Sequence, residues 1–171
     1  TPYPPNGAPC NGTLKGRPAM NIVNGVSVDP LPLHQPHPEK SSIHLLALAS
    51  MSGWHGYDRL LHALAVYKGD ASVHVSFVGG EGDGSLAAWH ALANQLGVSD
   101  RVTFHGPLFG DALDQVIADC DVGVGSLGMY RYGLAQGMTL KLREYMARGL
   151  PFLTAVEDPA LPPDPAFSLH V

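Results

Sequence analysis

The sequence has few charged residues and few cysteines, and it contains no long apolar run. Only 15% of its 171 residues are charged, and the formal net charge is −5. This mild acidity argues against nucleic acid as a partner, because proteins that bind nucleic acid usually present a basic surface. No apolar run approaches the roughly 18–20 residues that span a bilayer. The N-terminus also lacks the basic and then apolar pattern of a signal peptide.

Metal and disulfide chemistry have little support in the composition. The two cysteines, Cys10 and Cys120, are too few for a disulfide framework and lack the spacing of metal ligands. The nine histidines are scattered and also lack such spacing. Cys120 ends an apolar helical pattern, which predicts a buried thiol. We therefore expect no metal site and no cofactor, and a reducing cytoplasm as the compartment.

Prolines are concentrated at the start of the chain, where nine of the fifteen fall within the first forty residues. Proline fixes φ and removes a hydrogen-bond donor, so residues 1–20 and 29–40 are predicted to be irregular. A short apolar run at 20–23 is a candidate strand. We interpret residues 1–40 as a proline-rich leading segment and interdomain linker.

From residue 43 onward, patterns of strands and helices alternate, without internal repeats. Continuous apolar runs are typical of strands buried on both faces, and apolar residues at intervals of three and four indicate helices. Such alternation predicts an α/β fold, a Rossmann-like doubly wound parallel sheet with helices on both faces, in a single domain at 41–171. Predicted strands cover 43–49, 73–78, 101–104, 122–125 and 152–155, another begins near 168, and predicted helices begin near Tyr57, Ser85, Leu113 and Leu140.

The loops at 50–56, 79–84, 105–110 and 126–139 all leave the carboxyl ends of predicted strands. Ligands of open parallel sheets bind at that edge, so these loops are expected to converge on one crevice. The loop at 126–139 is rich in glycine and leads directly into the helix near Leu140. A helix N-terminus offers unpaired N–H groups and a favourable dipole to an anion.

Residues 126–151 also carry four cations and a single carboxylate, Glu144, in a chain that is acidic overall. Lys141 lies in the first turn of the predicted helix, where the helix dipole disfavours a cation. Such a local conflict tends to mark a functional site. The segment therefore indicates a phosphate site. Its cations are Arg131, Lys141, Arg143 and Arg148.

A second glycine-rich stretch, GGEGDG at 79–84, is similar to a dinucleotide fingerprint. The third glycine of that fingerprint would fall on Ser85, and the stretch does not follow the first strand of the series. We therefore favour a tight turn near the ligand over a nicotinamide site.

Five short motifs resemble the C-terminal domain of the glycosyl transferases group 1 family, which has the two-domain GT-B fold. Each motif is weak alone, but all five occur in the family's order. They are NGV at 24–26, WHGYDRLL at 54–61, VGGEG at 78–82, VTFHG at 102–106 and LKLREYMARGLP at 140–151.

The resemblance implies a role for each part of the crevice but no catalytic residue in this domain. It implies that Glu144 binds the ribose of a nucleoside diphosphate sugar, the donor substrate. His105 and Gly106 would lie in the loop that faces the base. The implied contacts to the sugar are Gln136, Gly137 and Met138, and those to the diphosphate are His55, Gly56, Arg131, Thr139, Leu140 and Lys141.

The chain departs from the family pattern at three positions. His55 stands where the family usually has lysine, Ser50 where it usually has arginine, and Gln136 where many members have glutamate. Structural alternatives also remain open: His55 as a surface residue at a helix start, Glu144 as an i,i+4 partner of Arg148, and Thr139 as a helix N-cap.

The resemblance implies that the full-length enzyme transfers the sugar with retention and without a required metal. Its acceptor, a sugar or a lipid-linked sugar, would bind through an N-terminal domain that these residues do not include. The family's closing helices are also missing, so the domain is expected to be truncated at its C-terminus. Peripheral association of the full-length enzyme with the inner face of the membrane stays open. Two alternatives also remain: a GT-B sugar-nucleotide epimerase, for which the sequence shows no second carboxylate near Glu144, and a non-catalytic binding module.

Overall fold

The computed structural model describes residues 12–14, 17–19, 24–29, 31–36, 41–162 and 165–171. Strands and helices alternate from residue 42 onward, as the sequence predicts, and most boundaries lie within one or two residues of the predicted ones. Three short 3₁₀ helices, Gly53–His55, Ser99–Arg101 and Met129–Tyr132, lie in the connections. The strands are β1 Gly12–Leu14, β2 Arg17–Ala19, β3 Ser42–Leu48, β4 Ser72–Val78, β5 Val102–Gly106, β6 Val122–Val124, β7 Phe152–Thr154 and β8 Ser168–His170, and the helices are α1 Tyr57–Val66, α2 Ser85–Gln95, α3 Gly110–Asp119 and α4 Leu140–Ala147.

Six strands form one parallel sheet in the order β5-β4-β3-β6-β7-β8. The chain moves outward from β3 to β5 and then returns to the other side of β3 with β6. This is the doubly wound strand order, and the reversal lies between β3 and β6. The predicted Rossmann-like fold class is confirmed.

The sheet is covered by helices on both faces, and the alternation of side chains along β3 shows how. Leu45 and Ala47 pack in a core with α1 and α2, whereas Leu46, between them in sequence, packs with α3 and α4. Both faces of a central parallel strand are therefore buried, which is why the strand reads as a continuous apolar run.

One local expectation is wrong. Residues 12–14 and 17–19, predicted to be irregular, pair as an antiparallel two-stranded ribbon, in which Pro18 lies opposite Thr13. A ribbon of two strands has an unpaired outer edge on each strand, where a missing N–H does no harm. Leu140, the first residue of α4, is 55% exposed, because the buried stripe of α4 runs through Leu142 and Tyr145.

Cys120 is buried, as predicted, whereas Cys10 and the candidate strand at 20–23 lie outside the described residues. Within the described part of the chain, no helix is both long enough and apolar enough to cross a membrane.

Candidate functional site

Two loops meet where the strand order reverses, one following β3 and the other following β6. Their backbones touch at two glycines: a Cβ on Gly56, which has a φ of +65°, would lie 2.4 Å from the backbone nitrogen of Gly128. The N–H of Leu127 donates to the carbonyl of His55 at 2.7 Å. This reversal point is where ligands of such sheets bind, so the predicted residues at 55–56 lie at the expected place in the fold.

Lys141 is a buried cation in the first turn of α4. Its ammonium group donates to the hydroxyl of Tyr57 at 3.0 Å and lies 5.6 Å from the centre of the Trp54 ring. Burial holds the pKa of the Lys141 ammonium well below its usual range. Aromatic faces and a hydroxyl stabilise a cation only in part, and an unpaired buried charge is costly.

The other three cations of this segment each have a carboxylate partner. Arg131 pairs with Asp58 at 2.8 Å, Arg143 with Asp158 at 2.9 Å, and Arg148 with Glu144 at 2.9 Å. Among the described residues, no carboxylate forms an ion pair with Lys141. The local positive charge inferred from the sequence is thus largely neutralised by Glu144 and by two aspartates from elsewhere in the chain, and Lys141 is the exception.

His55 is buried next to Lys141, with only 2% of its surface exposed. The structural alternative, in which His55 is a surface residue at a helix start, is therefore wrong. Burial, and then the positive charge of Lys141, lowers the pKa of the His55 imidazole to about 3. The ring is neutral at neutral pH, so it contributes a hydrogen bond and no charge.

The hydrogen bonds of the His55 ring determine which nitrogen can act as a donor. Nδ1 lies 3.2 Å from the N–H of Ser52 and 3.1 Å from its carbonyl oxygen. In a neutral ring only one nitrogen carries the proton. The tautomer in which Nδ1 accepts from Ser52 leaves Nε2–H as a donor, and that tautomer suits a phosphate oxygen.

Two buried hydroxyl groups on the same loops have no hydrogen-bond partner among the described residues. One belongs to Ser126, just after β6, and the other to Thr139, just before α4. Thr139 occupies the N-cap position, but its side chain makes no capping bond. An unsatisfied buried hydroxyl costs about 1–3 kcal/mol, and a bound ligand can supply the missing partner. Ser126 was not predicted, although its place beyond a strand end at the reversal point is a signal in the sequence.

Arg131, predicted to bind diphosphate, forms a bidentate pair with Asp58 at the start of α1, at 2.9 and 2.8 Å. Desolvation opposes ionisation of Asp58, but the hydrogen bonds from Arg131 outweigh it and lower the pKa of the carboxyl group. The pair is partly exposed to solvent. Exposed ion pairs usually contribute little, but a bidentate geometry strengthens them, so another anion would have to compete with Asp58 for Arg131.

The residues predicted to contact the sugar lie in a loop, residues 136–139, that is held at both ends. The Gln136 amide donates to the Glu157 carboxylate at 3.1 Å, and the Gly137 N–H donates to the Glu157 carbonyl at 3.0 Å. The Met138 carbonyl accepts from the Asn24 amide at 3.0 Å. The Gly137 N–H is therefore engaged within the chain, and the sugar-binding role of these residues stays a prediction.

Glu144, predicted to bind ribose, has its carboxylate 2.9 Å from Nε of Arg148, the i,i+4 contact that was the structural alternative. Arg148 also lies 2.7 Å from the carboxylate of Asp114. The expectation of no second carboxylate near Glu144 is thus wrong, because the α3 residue Asp114 reaches the same guanidinium. The ribose role remains a prediction that requires Glu144 to bind ligand beside Arg148.

His105 and Gly106 lie at the end of β5, the edge strand of the sheet, two strands away from β3. The His105 ring nitrogen lies 3.2 Å from the hydroxyl of Ser76 on β4. The predicted base loop is thus on the same side of the reversal point as the loop after β4. Lys141 lies on α4, which follows β6 on the other side of that point.

The glycine-rich stretch at 79–84 already binds an anion from its own chain. One oxygen of the Glu81 carboxylate accepts from the N–H groups of Gly82 at 2.9 Å and Gly84 at 2.7 Å, at the start of α2. Desolvation opposes ionisation of Glu81, but these and neighbouring N–H groups outweigh it and lower its pKa. A pyrophosphate would have to displace this carboxylate, which argues against the nicotinamide alternative.

No group of three or more potential metal ligands occurs among the described residues. A cavity of about 380 Å³ lies near Arg148, where α3 and α4 end, and its lining includes Leu33, Asp114 and Ile117. Arg148 is one of the four cations of the predicted phosphate site, and no other residue predicted to belong to the site lines this cavity.

Comparison with known proteins identifies the family. The family model of the glycosyl transferases group 1 matches residues 42–161. The chain belongs to this family. No curated protein matches the chain with significance.

Similar solved structures agree with the fold of the glycosyl transferases group 1 family. The lipopolysaccharide outer core galactosyltransferase WaaB in its apo form is 21% identical, with a TM-score of 0.55 over 77% of this chain and 35% of that one. HepE from Anabaena with UDP-glucose is 22% identical, with a TM-score of 0.54 over 77% and 36%. Sucrose-phosphate synthase from Thermosynechococcus elongatus is 19% identical, with a TM-score of 0.58 over 77% and 34%. The chain thus spans about a third of the length of these proteins, whose GT-B architecture it shares in one domain.

Proposed function

We propose that this domain binds a nucleoside diphosphate sugar and is the donor-binding half of a glycosyltransferase. The observation that carries the proposal is the unpaired charge of Lys141. Its ammonium group is buried at the start of α4 with a hydroxyl and aromatic rings as its only described partners. A diphosphate would supply the missing negative charge where the helix dipole also favours an anion.

The arrangement suits a diphosphate that gains charge as it leaves the sugar. Lys141 supplies a positive charge in a site shielded from water, where electrostatic interactions are strong. His55 supplies a neutral hydrogen-bond donor, and Thr139 and Ser126 supply hydroxyl groups. Preplaced donors of this kind stabilise the transition state without reorganising during the reaction. Arg131 adds a second cation if it releases Asp58.

We further propose, from the family, that transfer proceeds with retention and without a required metal. The acceptor would be a precursor of a surface polysaccharide or glycoconjugate, since WaaB is by name a lipopolysaccharide galactosyltransferase. Fold likeness alone does not determine the substrate. UDP-glucose is the donor to test first, because HepE is described in complex with it.

Calorimetric titration of the chain with UDP, ADP, GDP and CDP, and with the matching monophosphates, tests the proposal. We expect one diphosphate to bind, and to bind more tightly than its monophosphate. If no diphosphate binds, or if diphosphate and monophosphate bind equally, the proposed site is wrong.

A non-catalytic binding module remains the second candidate, because Ser50 and Gln136 replace charged residues of the family. Ser50 is exposed and brings no charge to the site. Binding by this chain supports both candidates, and sugar transfer by the full-length protein separates them. The epimerase alternative is weaker, because Glu144 and Asp114 are both engaged by the guanidinium of Arg148.

A further inference from the structure

We infer that Asn24 is a positioning residue that couples the segment preceding the sheet to the 136–139 loop of the donor site. The inference rests on the proposed function, because it assigns to that loop the sugar end of the donor. It identifies a route by which a movement of the leading segment reaches the binding site.

Asn24 contacts two elements that are more than a hundred residues away in sequence. Its side-chain amide donates to the carbonyl of Met138 at 3.0 Å. Its own backbone carbonyl accepts from Nε of Arg143 at 3.2 Å. Asn24 therefore bridges the loop that precedes α4 and the middle of α4 itself.

The bridge is anchored to the body of the domain through Arg143. The guanidinium of Arg143 also forms a buried ion pair with Asp158 at 2.9 Å, in the loop that follows β7. The guanidinium of Arg143 is a rigid support, since its planar fork fixes the direction of each N–H bond. The backbone of Asn24 is thus held in place, and its side chain can transmit that position to Met138.

The 136–139 loop has one anchor at each end. Glu157 holds Gln136 and Gly137, and Asn24 holds Met138. Thr139 comes directly after Met138, and Lys141 follows two residues later. The hydrogen bond from Asn24 therefore holds the peptide carbonyl of Met138 just before the proposed diphosphate site. Loss of this bond would release the loop while leaving the buried ammonium group of Lys141 in place.

This arrangement predicts that two ligands respond differently to loss of the Asn24 bond. In the proposed site, the affinity for UDP depends on Lys141 and the start of α4, whereas the affinity for UDP-glucose also depends on the 136–139 loop. We expect Asn24→Ala to lower the affinity for UDP-glucose by about 3- to 10-fold, the range for one neutral hydrogen bond. The affinity for UDP is expected to change less than about 2-fold.

Two further variants isolate the contact. Asn24→Asp keeps the backbone carbonyl that Arg143 contacts and removes the amide that donates to Met138, so we expect it to behave as Asn24→Ala does. Asn94→Ala is the matched control, because Asn94 accepts from Ser99 at 2.6 Å in an exposed site at the end of α2. It is expected to bind both ligands as the unchanged chain does.

The experiment combines calorimetry with UDP and UDP-glucose and hydrogen–deuterium exchange of the 135–142 segment in the ligand-free chain. Faster exchange in both Asn24 variants, with a selective loss for UDP-glucose, supports the inference. Unchanged exchange, equal losses for both ligands, or unchanged behaviour of Asn24→Asp overturns it. If the unchanged chain binds neither ligand, the proposed function fails, and the exchange comparison alone then decides whether Asn24 positions the loop.

Discussion

The ammonium group of Lys141 and the hydroxyl group of Tyr57 form a buried hydrogen bond of 3.0 Å across 84 residues of sequence. Tyr57 donates in turn to the carbonyl of Val124, at the end of β6, at 3.2 Å. Burial raises the pKa of the Tyr57 hydroxyl, so this group stays protonated and brings no negative charge. The pair therefore positions the cation of Lys141 without neutralising it.

Replacement of Lys141 should separate binding from stability. Lys141→Met keeps the length of the side chain and removes the charge. We expect the preference for UDP over UMP to narrow by about 1–3 kcal/mol, the range for a hydrogen bond to a charged group. The free energy of unfolding should rise or stay the same, because an unpaired buried charge is lost. Calorimetry and urea denaturation measure the two effects.

Lys68→Met is the matched control for that experiment, since Lys68 is exposed after α1. It should leave both the nucleotide affinities and the stability unchanged. Unaltered UDP and UMP affinities in Lys141→Met would show that Lys141 does not contact phosphate.

The buried imidazole of His55 predicts a dependence of stability on pH. Its pKa is lowered to about 3 in the folded chain, from 6.5 when unfolded. The unfolded state therefore binds more protons between these values, and stability falls as the pH drops from about 6.5 towards 3. The loss is at most about 1.4 kcal/mol per pH unit.

The His55→Asn variant isolates this contribution, because asparagine does not titrate. Urea denaturation of both chains at pH 7.5 and pH 5.0 gives the difference in stability at each value. We expect the variant to gain stability relative to the unchanged chain at pH 5.0. A difference that does not vary with pH would mean that His55 is accessible to protons in the folded chain.

Two roles compete for Glu144, a proposed contact with ribose and the observed ion pair with Arg148, and a pair of ligands distinguishes them. If Glu144 accepts a hydrogen bond from ribose, Glu144→Gln should lower the affinity for UDP more than the affinity for 2′-deoxy-UDP, since charged acceptors form the stronger hydrogen bonds. If Glu144 serves only to hold Arg148, both ligands should be affected equally. Asp114→Asn is the control, because it removes the other carboxylate on Arg148 and leaves Glu144 in place.

The sequence predicts the sheet and the position of Lys141, because both depend on local signals. Continuous apolar runs identify the strands, and a cation in the first turn of a helix marks a conflict that is visible in sequence. The partners of the charged residues could not be predicted. Asp58 reaches Arg131 from 73 residues away, and only the packing of α1 against the 3₁₀ helix at 129–132 brings them together. The same holds for Asp114 and Arg148, which depend on how α3 and α4 pack.

The contact between Gly56 and Gly128 predicts an unusually severe effect of one methyl group. In Gly56→Ala the new Cβ would clash with the backbone of Gly128 at 2.4 Å, and the residue would also be left-handed at a φ of +65°. Gly133→Ala is the matched control, with a φ of +70° and nothing within 4 Å of the added Cβ. The free energy of unfolding of the control should fall only by the cost of a left-handed alanine, about 1–2 kcal/mol.

We expect Gly56→Ala to lower the free energy of unfolding by at least about 1 kcal/mol more than Gly133→Ala does, because the loops must separate to relieve the clash. Binding of UDP should weaken in the first variant and not in the second. Urea denaturation and calorimetry provide the comparison. Equal losses of stability would mean that the two loops move apart freely and do not form a fixed site.

The last prediction concerns catalysis by these residues alone. The chain spans 35% of WaaB, and the family resemblance assigns the acceptor mainly to an N-terminal domain. Transfer requires the acceptor oxygen to be held against the anomeric carbon, and such positioning accounts for a large part of an enzymatic barrier. A second domain that closes over the site would also exclude water and complete the reacting arrangement. We therefore expect the chain to bind UDP-sugar and to hydrolyse it slowly at most.

A radiolabelled-donor assay with sugar and lipid-linked acceptors measures this activity directly, with Lys141→Met as the control for binding. Acceptor-dependent transfer by residues 1–171 that disappears in Lys141→Met would show that one domain holds the complete site, and the proposed division of labour between two domains would be wrong.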